Sequence, residues 1–262
     1  MRDGFIKVAA GTPEIRVADC TYNAQQCLTL MRQAAEQGVK VLCLPELCLT
    51  GYTCGDLFLQ ESLLRGAEDA LAHIIRETKK LDLVTALGVP VRYHGKLFNC
   101  AAVLCRGALL GLVPKLNLPN YTEFYEGRWF TSGRALLGTD FCIPFAGQEN
   151  VEFSPGLVFR CADLPQLCIG VEICEDLWVA DTPSTRLAQG GATLILNPSA
   201  SDETVCKDDY RRTLLSATSG RLVCGYVYAD AGWGESSTDL IYAGHSLIAE
   251  NGTILAQRRF ET

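Results

Sequence analysis

Three side chains of complementary chemistry stand in three short apolar strings. Glu46 lies in "CLPELCLTGY", Lys115 in "GLVPKLNLP" and Cys174 in "IGVEICEDLW". A thiol attacks a carbonyl carbon, a carboxylate takes the thiol's proton, and an ammonium stabilises the oxyanion that develops. Together they make a complete set for cleaving an amide. The string around Cys174 also poses a problem, because Glu172, Glu175 and Asp176 surround the thiol. Negative neighbours raise a thiol's pKa and blunt it as a nucleophile. Lys115 offsets those charges, and a general base removes the need for a standing thiolate. Taken one at a time, each residue has a plain alternative: a core cysteine, a solvated lysine, a loop glutamate.

The elements that must position these residues follow from periodicity. "FIKVAAG" and "VKVLCLPE" read as buried strands, the second ending at Pro45–Glu46. Between them "NAQQCLTLMRQAAEQG" has apolar residues at helical spacing and a terminal Gly. The segment Leu57–Leu81 reads as one long amphipathic helix with basic residues at its end. Three strands follow, separated by turns at His94–Gly95 and Arg106–Gly107, and the last ends at Lys115. Residues from Leu116 to Ser154 are rich in Gly, Pro and aromatics and read as an irregular functional loop. The second half alternates again. "LPQLCIGVEIC" is a strand ending at Cys174, "TPSTRLAQGG" a short helix, "ATLILNPSA" a strand and "KDDYRRTLLSATSGR" a helix. "LVCGYVYADAG" is a strand, and "YAGHSLIAENGTILAQ" a hairpin turning at Asn251–Gly252. No linker or low-complexity tract divides the chain, so one α/β domain is expected, its sheets covered by helices. Glu46, Lys115 and Cys174 all fall at strand ends, where the sites of α/β proteins gather.

Composition excludes several function classes. The chain has 262 residues, 48% of them hydrophobic, enough for a sizeable core. A net charge of −7 argues against nucleic acid or an anionic membrane as a partner. No apolar run approaches the ~18 residues of a membrane span. The start, "MRDGFIKVAA", lacks the apolar stretch of a secretory signal. Thirteen cysteines, many within strand-like runs, read as reduced core thiols of a cytoplasmic protein. Cys43, Cys48 and Cys54 are near neighbours, yet no CxxC pair exists, so no metal site is expected. Of the three histidines only His245, on a strand, could serve a Cys–His site, and its plainer reading is a hydrogen-bonded strand residue.

The three strings resemble the signature segments of the nitrilase, or carbon–nitrogen hydrolase, superfamily. The resemblance covers nearly the whole chain and implies a four-layer α–β–β–α sandwich. "TGYTCGDLF", "YTEFYEGRWF" and "EICEDLW" are more narrowly similar to the glutaminase domains of glutamine-dependent NAD synthetases. In that family glutamine is hydrolysed, and the ammonia passes to a second domain that amidates nicotinic acid adenine dinucleotide. The resemblance implies that Glu46 is the general base, Lys115 the oxyanion-stabilising lysine and Cys174 the nucleophile, with the N–H of Glu175 as a second oxyanion donor. It implies a supporting glutamate at Glu123, eight residues beyond the lysine, and that glutamate is expected to orient the amide near Lys115. Tyr121, Ser201 and Lys207 match substrate contacts, and Tyr52 and Trp178 of the same strings join them in the pocket. For Ser201 a helix N-cap or turn explains the residue about as well, for Lys207 a solvated helix position, and for Tyr121 loop packing. ATP and magnesium belong to the synthetase domain, whose Gly-rich loop has no match here. Symmetric oligomers are common in the superfamily. A free-standing amidase on another small amide and a non-catalytic assembly domain are the rival readings. The intact triad speaks against the second.

Overall fold

The computed structural model describes residues 4–138, 141–235 and 239–260. Strand β2 (Val41–Cys43) shows how the chain layers itself. Val41 and Cys43 face one way, Leu42 faces the other, and all three are buried. A strand alternates its side chains, so both faces of this sheet must be covered. β1 (Val8–Ala10), β2 and β3 (Val84–Tyr93) are parallel. β4 (Lys96–Cys105) and β5 (Ala108–Pro114) extend them antiparallel, giving the order β1-β2-β3-β4-β5.

A second sheet repeats the plan. β9 (Cys168–Val171), β10 (Leu194–Ser199) and β11 (Gly225–Asp230) are parallel. β8 (Val158–Arg160) pairs antiparallel at one edge, and β12 (Ser246–Glu250) and β13 (Thr253–Arg258) at the other. Leu194, Leu196, Val227 and Ala229 meet Val41, Ala86, Ala101 and Val103 of the first sheet in one apolar layer. The opposite faces take the helices. α1 (Cys20–Glu36) and α2 (Glu61–Glu77) cover the first sheet. Tyr226, Tyr228 and Ile195 of the second sheet face α3 (Pro183–Gln189) and α4 (Lys207–Leu222). The layering is α–β–β–α, as the signature strings imply.

Local expectations hold in most places. Asp19 caps α1 through the N–H of Tyr22, and Gly38 ends it at φ +77°. The turns at His94–Gly95, Arg106–Gly107 and Asn251–Gly252 all carry positive φ. Two readings need correction. The helix expected over Leu57–Leu81 starts only at Glu61, because Tyr52–Leu59 forms 3₁₀ turns broken at Gly55. The Leu116–Ser154 stretch is not wholly irregular, since β6 (Cys142–Phe145) and β7 (Gln148–Glu152) form a hairpin beside β5. Its Val151 and Phe153 are buried while the residues between and before them are exposed, an alternation too short to stand out in sequence.

All thirteen cysteines are free thiols and nine are buried. Among the described residues no helix is long and apolar enough to cross a membrane.

Candidate active site

The three strand ends converge. β2 runs into the turn that carries Glu46, where Leu47 adopts φ +50°. Gly88 of β3 makes this turn possible. A Cβ there would lie 1.8 Å from the Leu47 nitrogen, so only glycine lets the two backbones pack. Lys115 follows β5 directly, and its carbonyl accepts the Gly133 N–H at 2.8 Å. Cys174 heads a 3₁₀ turn (Cys174–Leu177) just beyond β9 and adopts φ +44°. A non-glycine residue in that region is strained, and such strain concentrates at functional sites. The Cys174 N–H donates to Asn197 Oδ1 of β10 at 2.9 Å, which helps hold the turn.

Lys115 is the hub. Its side chain is fully buried, and Nζ donates to Glu46 Oε1 and to Glu126 Oε1, each at 2.7 Å. Glu46 is fully engaged on one oxygen and half-engaged on the other. Oε1 also accepts Asn99 Nδ2 at 2.6 Å, while Oε2 accepts the Ala200 N–H at 3.0 Å. Tyr52 donates its hydroxyl to Glu126 Oε1 at 2.7 Å. Glu126 Oε2 is buried and, among the described residues, has no hydrogen-bond partner.

These contacts set the proton affinities. Burial lifts the Cys174 thiol well above the ordinary cysteine range, Glu46 adds to the rise, and Lys115 opposes it. The thiol is therefore protonated at neutral pH. Burial opposes the charge on Lys115, but Glu126 and Glu46 more than offset it and hold the ammonium well above its usual range. Burial carries Glu126 up to about 7, with Lys115 pulling down and Glu46 pushing up.

The acids around Cys174 have partners of their own. Glu172 accepts the Tyr226 hydroxyl at 2.5 Å and the Ser184 N–H at 2.7 Å. Asp176 accepts the N–H groups of Ile173 at 3.0 Å and Asn117 at 2.8 Å, tying the cysteine turn to the segment after Lys115. Glu175 accepts the Tyr121 hydroxyl at 2.9 Å. As the second residue of a 3₁₀ turn, the Glu175 N–H has no acceptor within that turn.

The expected residues separate into two groups. Glu46, Lys115, Cys174 and Tyr52 share the buried centre. Tyr121, Lys207 and Trp178 line an outer rim, with Lys207 Nζ 5.5 Å from the Trp178 ring centroid. Lys207 is no solvated helix residue. It pairs with Asp202 and also lies over Phe124. Ser201 is no N-cap of α4, which begins six residues later. Its hydroxyl accepts Arg211 Nη2 at 3.1 Å, and its N–H donates to Asp230 Oδ1 at 2.8 Å.

Glu123 requires correction. It does not reach Lys115. Its carboxylate is influenced by Thr122, Asp202 and Lys207 at the rim, and the glutamate that pairs with Lys115 is Glu126. The chain reverses at Thr122, which has φ +47°, and the Glu126 N–H then closes onto the Pro119 carbonyl. That turn swings Glu126 inward between the buried Phe124 and Phe130. The flanking aromatics were the one sequence signal for it. Buried Arg211, Asn99 and Asp176 were also missed. His245 takes a hydrogen bond from Arg211 at 2.8 Å on its Nδ1, so it is the hydrogen-bonded residue expected rather than a partner for Cys174. Among the described residues no group of three or more His, Cys, Asp or Glu side chains could hold a metal ion.

Residues 7–262 match the model of the carbon–nitrogen hydrolase family. The chain belongs to that family. Among members, a glutamine-dependent NAD(+) synthetase of Mycobacterium tuberculosis is 42% identical over 254 residues. That alignment takes in 97% of this chain and 37% of the relative, so the chain spans little more than a third of the protein it matches. The crystal structure of a glutamine-dependent NAD(+) synthetase from Cytophaga hutchinsonii superposes with a TM-score of 0.85 at 32% identity, covering 98% of this chain and 41% of that one. An amidase of Nesterenkonia sp. shares the carbon–nitrogen hydrolase fold with a TM-score of 0.75 at 19% identity, over 100% of this chain and 89% of its own.

Proposed function

We propose that this carbon–nitrogen hydrolase is the glutamine-hydrolysing part of a glutamine-dependent NAD(+) synthetase. One observation carries the chemistry: a single buried ammonium, Lys115, joins two carboxylates beside a thiol that heads a strained turn. The similarity to glutamine-dependent NAD(+) synthetases supports the choice of amide.

Cys174 starts as a thiol. Glu46 Oε2 accepts one hydrogen bond, so it retains a lone pair for the thiol proton. Sulfur attacks the side-chain amide carbon of glutamine. Two of the three N–H bonds of Lys115 go to carboxylates, and the third meets the oxyanion together with the Glu175 N–H. Glu46 returns the proton to the leaving nitrogen, and ammonia departs. The γ-glutamyl thioester remains on Cys174. Glu46 then deprotonates a water, which attacks the thioester and releases glutamate, and the proton restores the thiol. Glu126 and Tyr52 position Lys115. Tyr121, Ser201, Lys207 and Trp178 hold the amino-acid end of the substrate.

Ammonia would pass to the synthetase portion that amidates nicotinic acid adenine dinucleotide with ATP and magnesium. No side chain described above is assigned to that step. Assembly into a homo-oligomer and residence in the reducing cytoplasm complete the proposal, the second in keeping with thirteen free thiols.

Intact-mass analysis after treatment with a glutamine-like diazo-ketone tests the reading. One adduct is expected, mapping to Cys174. Labelling mainly at exposed Cys142 or Cys206 would exclude Cys174 as nucleophile. Equal ammonia release from butyramide and glutamine would replace the glutaminase with a general amidase.

A further inference from the structure

Three carbon–carbon bonds separate the side-chain amide carbon of glutamine from an α-carbon that bears one positive and one negative group. Under the glutaminase reading, on which this inference rests, the residues a short way from Cys174 must meet a zwitterion. Lys207 supplies a positive charge for the carboxylate. Its ammonium, however, is already paired with Asp202, which is 3% exposed. The pair lies against aromatic walls, 5.6 Å from the Phe124 ring centroid and 5.5 Å from that of Trp178. Trp178 closes the turn that Cys174 opens. Ala200, two residues before Asp202, gives its N–H to Glu46. The ion pair therefore borders the turn that carries Cys174, through Trp178, and adjoins Ala200, which holds Glu46.

A second observation concerns charge balance. The Glu123 carboxylate lies close enough to Asp202 and Lys207 for their charges to act on one another. Two carboxylates in contact repel unless a proton or a cation joins them. The Lys207 ammonium pairs with Asp202 and acts on both, so the rim carries more negative than positive charge. Asp202 is also held in place from behind. The fully buried Arg211 donates to the Asp202 carbonyl and to Ser201 Oγ, both at 3.1 Å, and Asp230 takes the Ser201 N–H at 2.8 Å. A carboxylate fixed in this way receives a cation with little reorganisation.

We propose that Asp202, aided by Glu123, is the receptor for the α-ammonium group of the substrate. Lys207 turns from Asp202 to the α-carboxylate as the substrate enters. The site thus holds, as its own ion pair, the complement of the zwitterion it admits. Substrate charges replace each partner's charge, so neither Asp202 nor Lys207 is left buried and unpaired. A ligand with only one of the two charges leaves one of them uncompensated and is rejected.

The test uses Cys174→Ala, which binds without turnover, in calorimetric titrations with three ligands. These are glutamine, 4-carbamoylbutanoate (glutamine without its α-amino group) and 4-aminobutanamide (glutamine without its α-carboxylate). Adding Asp202→Asn should weaken glutamine and 4-aminobutanamide at least ~10-fold, the range expected for a lost charge-assisted hydrogen bond. Binding of 4-carbamoylbutanoate should hold or tighten, because Lys207 is released. Glu123→Gln should act in the same direction with a smaller change, because Glu123 only assists Asp202. Equal weakening of all three ligands, or no effect on glutamine, would overturn the assignment. If Cys174→Ala binds butyramide as tightly as glutamine, the glutaminase reading itself fails and this inference falls with it.

Discussion

The ammonium of Lys115 stands 2.7 Å from the carboxylate of Glu126, eleven residues further along the chain. The same nitrogen is 2.7 Å from Glu46. One cation thus bridges two buried acids, and each acid has a different shell. Glu46 accepts donors on both oxygens, whereas Glu126 gathers Lys115 and Tyr52 on one oxygen and has no partner for the other among the described residues. The free oxygen is the natural seat for a proton. This division suits one carboxylate to take protons from the reaction and the other to balance charge.

Glu46→Gln should fold and lose at least ~10²-fold in turnover of glutamine, the usual cost of removing a general base. The loss has a structural component too. Oε1 faces two donors and Oε2 a third, so the new amide N–H₂ meets a donor whichever way it turns. Steady-state ammonia release checks this, and near-normal turnover would remove Glu46 from its role.

Glu126→Gln should change how stability depends on pH. In the folded protein this carboxyl titrates at about 7, against an ordinary value of 4.5. Between those values the native state holds a proton that the unfolded chain has lost. Its contribution is therefore full below ~4.5 and disappears as pH rises through ~7. Relative to Glu126→Gln, the wild type should lose up to ~3 kcal/mol from pH 5 to pH 8. Urea unfolding of both proteins across that range measures it, and parallel profiles would show that Glu126 holds no such proton.

Gly88→Ala should be among the most damaging single methyl additions in the chain. The added carbon would fall 1.8 Å from the Leu47 nitrogen, a backbone atom that cannot step aside. Overpacking of this kind costs about 3 kcal/mol, or roughly 6–12 °C of unfolding temperature in a protein of this size. Turnover should drop as well, since the displaced turn carries Glu46. An unchanged melting temperature would contradict the close approach of β3 to that turn.

The proposed trio of Glu46, Lys115 and Cys174 was legible because each member follows a strand whose apolar run is visible locally. Once "VLCLPE", "GLVPK" and "CIGVEIC" are read as strands, their ends are known to within three residues. Strands buried on both faces imply sheets covered by helices, and the resemblance of the three strings implies the four-layer sandwich. Glu126 was not legible in this way. "YTEFYEGRWF" offers two glutamates three residues apart, and local pattern does not rank them. The positive φ at Thr122 and the closure of Glu126 onto Pro119 decide which one turns inward. Both come from packing Phe124 and Phe130 into the core.

Sequence by itself determined the chemistry available to this protein: a thiol, a carboxylate and an ammonium at three strand ends, and a neutral thiol among acids that needs a base. Those are properties of residue types and short-range pattern. Only the tertiary structure decided the company each group keeps. Glu172, Glu175 and Asp176 are satisfied by Tyr226, Tyr121 and Asn117, and Lys207 by Asp202. Only in the assembled fold does Arg211 of α4 reach Ser201 beyond β10, or Glu126 reach Lys115 beyond β5. Such partners are remote in sequence or separated by an irregular turn. Their pairing depends on side-chain direction in a packed interior, where a group's energy is set by what touches it rather than by what precedes it.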